Sequence, residues 1–312
     1  MKRDFMEWIL IPEQTRIPLI RGWIYRFVCK KQRKYYNELV IKENILNKEE
    51  RKEKITLSLT SFPGRIDKVA PTIKSLMMQS CKPDRIILWL AEEQFPDHKL
   101  PESILQLMDV GLEVMYCENL NGHKRHYKML NMQEENEVVI TFDDDILFPR
   151  RCVERIMEAH EKFPNCVICD RGQNTQYDKE GNVLLPAYWS ITGKEGIKQP
   201  TYKMLLSPGG GCLFPKNALH KDFCDVEKIR KYALNTGNVW LTFMAAEKGT
   251  KIVKTDRYHR PFITIEDEQE IQLGVQAITM GRYEQTLNML KEDYPLAYDR
   301  VIGLNSTVKK GN

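Results

Sequence analysis

The sequence predicts an α/β fold: a mostly parallel central sheet flanked by helices, with helical extensions at both ends of the chain. From residue 55 onwards, short apolar runs rich in β-branched residues alternate with segments of helical spacing. Polar or acidic residues directly follow two of these runs, as expected where parallel strands end and ligands collect. With 312 residues, 42% of them hydrophobic, the chain can bury a substantial core.

The first 54 residues are predicted to be a basic amphipathic segment followed by a charged linker. Residues 1–34 hold nine lysines and arginines against three acidic residues, interleaved with tryptophan, tyrosine, phenylalanine and isoleucine. Two interpretations remain open. The segment either lies on an anionic membrane surface, or forms a helix packed on the core or on a second subunit. Residues 42–54 are highly charged and predict a solvated helix or a linker.

A first unit of strand, helix and strand opens the domain that we expect over residues 55–265. Residues 55–60 alternate and are rich in β-formers, the chain breaks at 62–64, residues 71–79 have helical spacing, and residues 85–90 form a second strand. A short helix over 101–108, a strand over 112–117 and a basic helix over 123–130 then lead to the strand 138–142. This alternation favours a parallel sheet covered on both faces.

The pattern after residue 145 is less regular. We expect a helix over 150–163, a strand near Val167, a hairpin around 179–182, a glycine-rich segment at 209–211, a helix over 239–247 and a strand over 251–254. Residues 266–312 are predicted to be a helical extension, with a helix over 283–292 and a loose polar tail.

Composition excludes some classes of protein. Outside residues 1–34 the chain holds 38 basic and 40 acidic residues, which argues against a nucleic-acid binder. No secretory signal and no apolar run of about 20 residues is visible. The eight cysteines lack the paired clusters of a zinc site, and the single CxxC, at Cys166 and Cys169, lies in an apolar run. We therefore expect buried thiols and a cytoplasmic protein, with possible peripheral contact at the inner face of the plasma membrane.

Three consecutive carboxylates, Asp143, Asp144 and Asp145, end a strand that looks buried. Adjacent acids repel and lose hydration, so an apolar strand rarely carries three of them without a cation. Oxygen ligands suit a hard divalent ion, which commonly binds substrate phosphates together with one or two carboxylates. The alternative, a solvated turn with a helix N-cap, accounts for one aspartate only. The motif predicts a metal-diphosphate site.

Further candidates surround this motif in the sequence. Lys124, Arg125 and Lys128 precede the acidic strand, and Arg65 follows the first strand; they could match the charge of a diphosphate or form an ordinary solvated basic face. The backbone of Gly209, Gly210 and Gly211 could approach a ligand closely, although a flexible turn is equally compatible with these residues. His259 could complete a metal's ligand set or be an ordinary surface histidine.

Several of these motifs occur together in a known order: residues 59–66, 83–90, 123–124, 141–146 and 209–211. As a set they resemble a bacterial glycosyltransferase family of the GT-A fold, similar to the family 2 enzymes that build capsule and lipopolysaccharide chains. The resemblance covers roughly residues 55–265. It implies a GT-A-like fold, a nucleotide-sugar donor, most often a UDP-sugar, a Mn²⁺ or Mg²⁺ ion, and a polysaccharide or lipid-linked acceptor.

The resemblance also implies roles for individual residues. Asp143 would contact ribose or the metal, and Asp145 would ligate the metal, with His259 as a further candidate ligand. Trp240, with the three glycines, would border the acceptor and stack on a sugar face. The remaining donor contacts would come from Thr60, Ser61, Arg65, Lys124, Lys128 and Asp144.

One position departs from this pattern. Relatives of the family carry an Asp-Asp pair before the tryptophan-bearing helix, where an aspartate would deprotonate the acceptor hydroxyl, whereas this chain has Gly237 and Asn238. An amide has no useful proton affinity near neutral pH. Asp225, or its neighbours Asp222 and Glu227, could substitute as the base; alternatively, no enzymic base is needed, or catalysis has been lost. Two other functions therefore stay open: a non-catalytic sugar-nucleotide-binding or scaffold protein, and a nucleotidyltransferase.

Overall fold

The computed structural model describes residues 18–180, 183, 184, 189, 195–255, 263–265 and 281–303. The helices are α1 (Pro18–Glu38), α2 (Ala70–Met77), α3 (Glu102–Met108), α4 (Lys124–Met132), α5 (Cys152–Lys162), α6 (Val226–Lys228), α7 (Gly237–Lys248), α8 (Arg282–Asp293) and α9 (Pro295–Val301). The strands are β1 (Lys54–Thr60), β2 (Arg85–Ala91), β3 (Leu112–Cys117), β4 (Glu137–Phe142), β5 (Ile146–Leu147), β6 (Val167–Cys169), β7 (Gly172–Asn174), β8 (Met204–Leu206), β9 (Gly210–Phe214), β10 (Ile252–Lys254) and β11 (Ile263–Thr264). A π-helix, Ile229–Ala233, continues α6.

Seven strands form one central sheet in the order β10-β6-β9-β4-β1-β2-β3. Strand β9 runs antiparallel to β4 and β6, and every other pair in this sheet is parallel. Two smaller sheets pair β5 with β11 and β7 with β8, both antiparallel. The predicted α/β class, a mostly parallel central sheet with flanking helices, is confirmed.

The two faces of the sheet bury different sets of residues because side chains alternate along a strand. In β2, Ile86 and Leu88 pack in a core with α2, α3 and α5, whereas Ile87 and Trp89 join the core that holds α4, α7, α8 and α9. In β1, Leu57 faces the first core, and the buried hydroxyl of Ser58 donates a hydrogen bond to the carbonyl of Arg125 in α4. This polar face of β1 fixes the start of α4 beside the sheet.

Helix α1 packs on the domain through one of its faces. Val28, Cys29 and Tyr36 are buried in a third cluster together with Leu147 of β5 and Ile263 of β11. Packing on the core, one of the two interpretations of the N-terminal segment, therefore holds for this face. Residues 39–53 form neither helix nor strand, and Ile41, Ile45 and Leu46 among them pack against the first core. No helix in the part of the chain that the structure describes is long and apolar enough to cross a membrane.

The glycine-rich segment is part turn and part strand: Gly209 lies in a turn that the amide of Gly210 closes on the carbonyl of Ser207, and β9 follows. Gly210 and Gly211 begin β9, and the pairing with β4 shifts between Thr141 and Phe142, so that Gly211 is the extra residue of a β-bulge. Gly211 has a φ of 95°, and a Cβ there would lie 3.3 Å from the ring of Phe142. A left-handed backbone and this close packing both favour glycine, so Gly211 serves the sheet rather than a ligand.

The cysteines form no disulfide and no zinc site in the described residues. All eight are free thiols, and Cys29, Cys117, Cys152, Cys169 and Cys212 are buried. The predicted hairpin near 179–182 lies partly outside the described residues, although Tyr177 and Val183 on either side form an antiparallel bridge.

Candidate functional site

Two predicted site segments meet at the carboxyl end of the sheet. Strands β1 and β4 are parallel neighbours in which Leu59 pairs with Phe142, so the residues that follow them emerge side by side. There the hydroxyl of Ser61 donates a hydrogen bond of 2.6 Å to Oδ2 of Asp144. The crevice that was expected at this edge of the sheet therefore contains the acidic triad, Asp143, Asp144 and Asp145.

Asp144 is the buried anchor of the triad. Its side chain accepts from Ser61 at Oδ2 and from Nη1 of Arg65 at Oδ1, the latter at 2.6 Å. Burial raises the pKa of Asp144, whereas Arg65 and the hydroxyl of Ser61 act in the opposite direction. Both carboxylate oxygens are occupied within the protein. Ser61 and Arg65 hold this carboxylate, and the donor contacts predicted for Asp144, Ser61 and Arg65 stay predictions.

Asp145 lies partly buried beside the other two carboxylates, and its pKa is raised. Its side chain is 15% exposed, and Oδ2 lies 3.2 Å from Nη1 of Arg65. Burial, together with the charges of Asp143 and Asp144, raises the pKa of Asp145 to about 7. A carboxylate in this state is only partly ionised at neutral pH, and a nearby cation would favour its charged form. The backbone carbonyl of Asp145 accepts from the amide of Ile265, which ties the triad to β11.

Asp143 is the most exposed of the three carboxylates, with 39% of its side chain accessible. Its Oδ1 forms an ion pair with Nη1 of Arg125 in the first turn of α4. Its backbone amide donates to the carbonyl of Gly209 at 2.8 Å. A Cβ on Gly209 would lie 1.8 Å from Oδ2 of Asp143, so the absence of a side chain at residue 209 leaves room for this carboxylate.

The donor set fits a hard divalent ion that is completed by substrate. No group of three or more histidine, cysteine, aspartate or glutamate side chains converges in the described residues, so the protein alone offers no full metal cage there. Mg²⁺ and similar ions need only one or two carboxylates when phosphates and waters supply the remaining oxygens. Asp143 and Asp145 are the carboxylates of the triad with accessible surface, and the charge of Asp143 contributes to the raised pKa of Asp145. His259, the third predicted ligand, lies outside the described residues.

Three cationic side chains border the triad. The sequence predicted that such cations lie near the acids, but not which acid each of them meets. Arg65 and Arg125 make the ion pairs given above, and Lys124 is buried with a pKa lowered by that burial, although Asp144 acts to raise it. Lys128 is exposed one turn farther along α4, where its Nζ lies 5.5 Å from the ring of Tyr127. Arg125 was only one of several candidate cations. Its position beside Lys124 was visible, but the rotation of α4 decides which side chain meets Asp143.

Thr60 does not present its hydroxyl to the crevice. Its Oγ1 donates to the carbonyl of Trp89 at 2.7 Å, between β1 and β2. Thr60 therefore stabilises the end of the sheet through its hydroxyl, and its predicted contact with a nucleoside stays a prediction.

Trp240 does not border an acceptor pocket. The side chain is fully buried, its indole N–H donates to the carbonyl of Phe223, and its ring stacks on Tyr232 with centroids 5.8 Å apart. Both the polar N–H and the apolar ring of Trp240 therefore have their contacts inside the core against which α7 packs. Among the three glycines predicted to border the acceptor, Gly209 lies against Asp143 of the triad, whereas Gly210 and Gly211 belong to β9.

Asp225 is a helix cap. Its carboxylate accepts from the backbone amide of Lys228, which starts α6. The preceding residue, Cys224, contacts Asn131 near the end of α4, six residues from Arg125. At about 1.5 Å per residue those two points of α4 are about 9 Å apart. The carboxylate of Asp225 is used as a helix cap, and the catalytic role expected of it stays a prediction.

The start of α7 lies close to the start of α4. A Cβ on Gly237 would be 3.2 Å from Nε2 of His123, the residue that precedes α4. Next to it, the Nδ2 of Asn238 donates to the hydroxyl of Tyr283 in α8 at 2.8 Å. The structure thus brings Asn238 to the same side of the sheet as Arg125 and the triad, with its amide held by a tyrosine.

His123 connects the start of α4 to the chain just before α7, although the sequence predicted no role of its own for this residue. Its Nε2 lies 2.8 Å from the carbonyl of Ala233, and its Nδ1 lies 2.9 Å from Nε2 of His126. Burial lowers the pKa of His123 to about 4, so the ring is neutral at physiological pH. A neutral ring can donate to Ala233 and accept from His126, which satisfies both nitrogens of His123.

No protein family and no curated protein matches the sequence. Among solved structures, a mannosyltransferase from Pyrobaculum calidifontis in complex with GDP-Man and Mn²⁺ is similar over 92% of this chain and 76% of its own, at 11% identity and a TM-score of 0.47. A 4-diphosphocytidyl-2C-methyl-D-erythritol synthase from Anaerococcus prevotii is similar over 73% of this chain and 96% of its own, at 11% identity and a TM-score of 0.45. At these values neither likeness is an argument for a shared activity.

Proposed function

We propose that the protein is a metal-dependent glycosyltransferase that takes its sugar from a nucleotide-sugar, with UDP-sugars as the first candidates. One observation carries the proposal: two accessible carboxylates, Asp143 and Asp145, lie at the carboxyl end of a parallel strand and are bordered by Arg65, Arg125 and Lys124. Acids and cations together are what a metal bound to a diphosphate requires.

In this proposal each group has a limited chemical task. Asp143 and Asp145 would hold Mn²⁺ or Mg²⁺, which supplies neutralisation of the charge that develops on the departing diphosphate. Arg125 is close enough to share that charge, because it already contacts Asp143. Asp144, held by Ser61 and Arg65, keeps its neighbours in register. The acceptor would be a polysaccharide or a lipid-linked glycan, as the motif resemblance implies.

The proposal assigns no general base. Asn238 cannot take a proton from an acceptor hydroxyl, and His123 is a poor base because burial lowers its pKa to about 4. A metal-stabilised leaving group would have to carry most of the rate enhancement.

The residue at position 238 also favours a second candidate function, that of a sugar-nucleotide-binding protein without turnover. Asn238 is an amide held by Tyr283 at the place where the resemblance expects an acid. Release of nucleoside diphosphate from a nucleotide-sugar, in the presence of Mn²⁺ and glycan acceptors, separates the two candidates. Binding without release across many acceptors would favour the second, and release of pyrophosphate from a nucleoside triphosphate and a sugar phosphate would indicate a nucleotidyltransferase.

The binding site itself is tested by thermal shift. A ligand that binds only the folded protein raises the melting temperature by mass action, so nucleotide-sugars are screened with and without Mn²⁺. Asp145→Ala should abolish the Mn²⁺-dependent shift, because it removes one of two carboxylates. Asp109→Ala is the control, since Asp109 is an exposed aspartate at the end of α3, on an element that contributes nothing to the triad. An undiminished shift in Asp145→Ala would refute the site assignment.

A further inference from the structure

Helix α1 has an outer face that nothing in the described part of the chain covers. Trp23 is 74% exposed and Phe27 is 44% exposed, one turn apart on the same face, and their rings stack with centroids 6.4 Å apart. An exposed tryptophan stacked on an exposed phenylalanine is unusual for a surface that meets only water, because each ring could be buried at a gain.

The same face is strongly basic. Arg26, Lys30, Lys31 and Lys34 are all exposed between and beyond the two rings. The ammonium of Lys31 lies 4.7 Å from the ring of Phe27, and Lys34 pairs only loosely with Glu38, at 3.8 Å. These residues are spaced three and four positions apart, so their side chains lie on one face of α1. On that face the two aromatic rings are therefore surrounded by cations.

We infer that this outer face of α1 binds the surface of an anionic lipid bilayer. Tryptophan and phenylalanine rings favour the boundary between headgroups and acyl chains, and lysines and arginines are attracted to anionic headgroups. The helix lies along the surface, since its opposite face is already occupied by the protein and it is not apolar enough to cross. An acidic protein partner would match the charge but would not need an exposed tryptophan at the edge of the patch.

The inner face of α1 connects this surface to the candidate site. Arg33 donates through Nε to the carbonyl of Thr264 at 2.7 Å and through Nη2 to its hydroxyl at 3.1 Å. The next residue along, Ile265, donates its amide to the carbonyl of Asp145. The contacts of Arg33 with Thr264 and of Ile265 with Asp145 thus connect α1 to the triad. With α1 bound to a bilayer, these contacts would hold the triad at a fixed height above the headgroups.

Sedimentation with lipid vesicles tests the inference without nucleotide or metal, so its outcome is independent of the proposed function. The full chain should sediment with phosphatidylcholine vesicles that contain phosphatidylglycerol and much less with phosphatidylcholine alone. Removing two charges with Lys30→Gln and Lys31→Gln should weaken binding roughly 30-fold, from the contribution of each cation near an anionic surface. Replacing both rings, with Trp23→Ser and Phe27→Ser, should weaken it by at least about tenfold, since the apolar anchor is lost.

Matched controls are available on other surfaces. Leu105→Ser removes an apolar side chain of 43% exposure from α3, and Lys48→Gln with Lys52→Gln removes two exposed charges from the linker. Both controls should bind vesicles as the unaltered protein does. A salt titration of the unaltered protein needs no substitution, and its binding should fall as ionic strength rises.

Three results would overturn the inference. One is equal binding of the unaltered protein to neutral and anionic vesicles, and another is undiminished binding by both double variants. The third is a dimer, detected by light scattering, that Trp23→Ser with Phe27→Ser dissociates while no vesicles are bound, because a second copy of the chain would then be the occupant of this face.

Discussion

Gly209→Ala should disable the triad while leaving the fold intact. The added Cβ would lie 1.8 Å from Oδ2 and 1.9 Å from Cγ of Asp143. Ordinary van der Waals contact begins near 3.4 Å, so the carboxylate must move by about 1.6 Å. The backbone of Gly209 is not left-handed, and the obstructing atoms are the end of a side chain, so the variant can relax by turning Asp143 away. We expect only a small loss of stability.

The consequence for metal binding is much larger. Metal-oxygen distances tolerate deviations of about 0.2 Å, well below the displacement that Asp143 must undergo. Loss of residues that merely orient a ligand weakens metal binding by about 10- to 100-fold, so displacement of a ligand itself should reach at least the upper end of that range. The ion pair between Asp143 and Arg125 would break as well, which removes the nearest counter-charge from its place.

Calorimetric titration of Mn²⁺ with UDP present measures this loss, and thermal unfolding without ligand measures the cost to the fold. Gly122→Ala is the matched control: it adds a methyl group next to α4 at an ordinary contact distance, 3.8 Å from Nη2 of Arg125. Unchanged Mn²⁺ affinity in Gly209→Ala would refute the assignment of Asp143 as a metal ligand. Equal weakening in both variants would indicate a general disturbance of the crevice.

Three further predictions follow from the described contacts. Asn238→Asp should fold normally, because the hydroxyl of Tyr283 can donate to a carboxylate, and it should raise glycosyl transfer if the missing base limits the rate; unchanged turnover would exclude that limit. His123→Gln keeps a donor for Ala233 but removes a ring whose pKa falls from 6.5 unfolded to about 4 folded. The neutral ring's contribution is fully present above pH 6.5 and is lost as pH falls towards 4. The free energy of urea unfolding should therefore drop by about 3 kcal/mol more in the unaltered protein than in the variant between pH 7 and 4, and identical curves would contradict this. Finally, Mn²⁺ should bind at least about tenfold more tightly with UDP than without it, since each neutralises the other; equal affinities in calorimetry would contradict shared coordination.

The sequence predicted the part of the site that depends on strand ends. Asp143 and Ser61 follow short apolar runs whose period and composition identify β1 and β4, and parallel neighbours necessarily release their next residues at one edge. Beyond that, the destination of a side chain depends on which face of an element it occupies. Thr60 was expected in the crevice, but its hydroxyl turns to the carbonyl of Trp89. The direction of this hydroxyl depends on the neighbouring strand β2, and a pattern of residues within β1 holds no information about that neighbour.

In helices, too, the sequence did not show which side chains face the core and which face the site. Trp240 stands at a helix start, where an exposed ring and a buried one look identical in sequence, and only the aromatic neighbours Tyr232 and Tyr294 reveal that it belongs to the core. The sequence left open whether the glycines at 209–211 approach a ligand or form a turn, and it gave no sign that Gly210 and Gly211 pair with β4, more than 60 residues earlier in the chain. The bulge that needs Gly211 arises only when those two strands pair.

In the proposed function, the charges at the crevice favour a metal and a diphosphate bound together. The triad contributes three negative charges when fully ionised, and Arg65, Arg125 and Lys124 contribute three positive ones, so the site is close to neutral as it stands. A divalent ion alone would leave an excess of positive charge beside two guanidiniums, and a diphosphate alone would add negative charge beside a partly buried acid. Added together, the two cancel, and the ion would also lower the pKa of Asp145, which burial and the charges of Asp143 and Asp144 raise to about 7. Such a charge balance disfavours either ligand separately and favours the pair, which is what the proposed transfer from a charged donor would require.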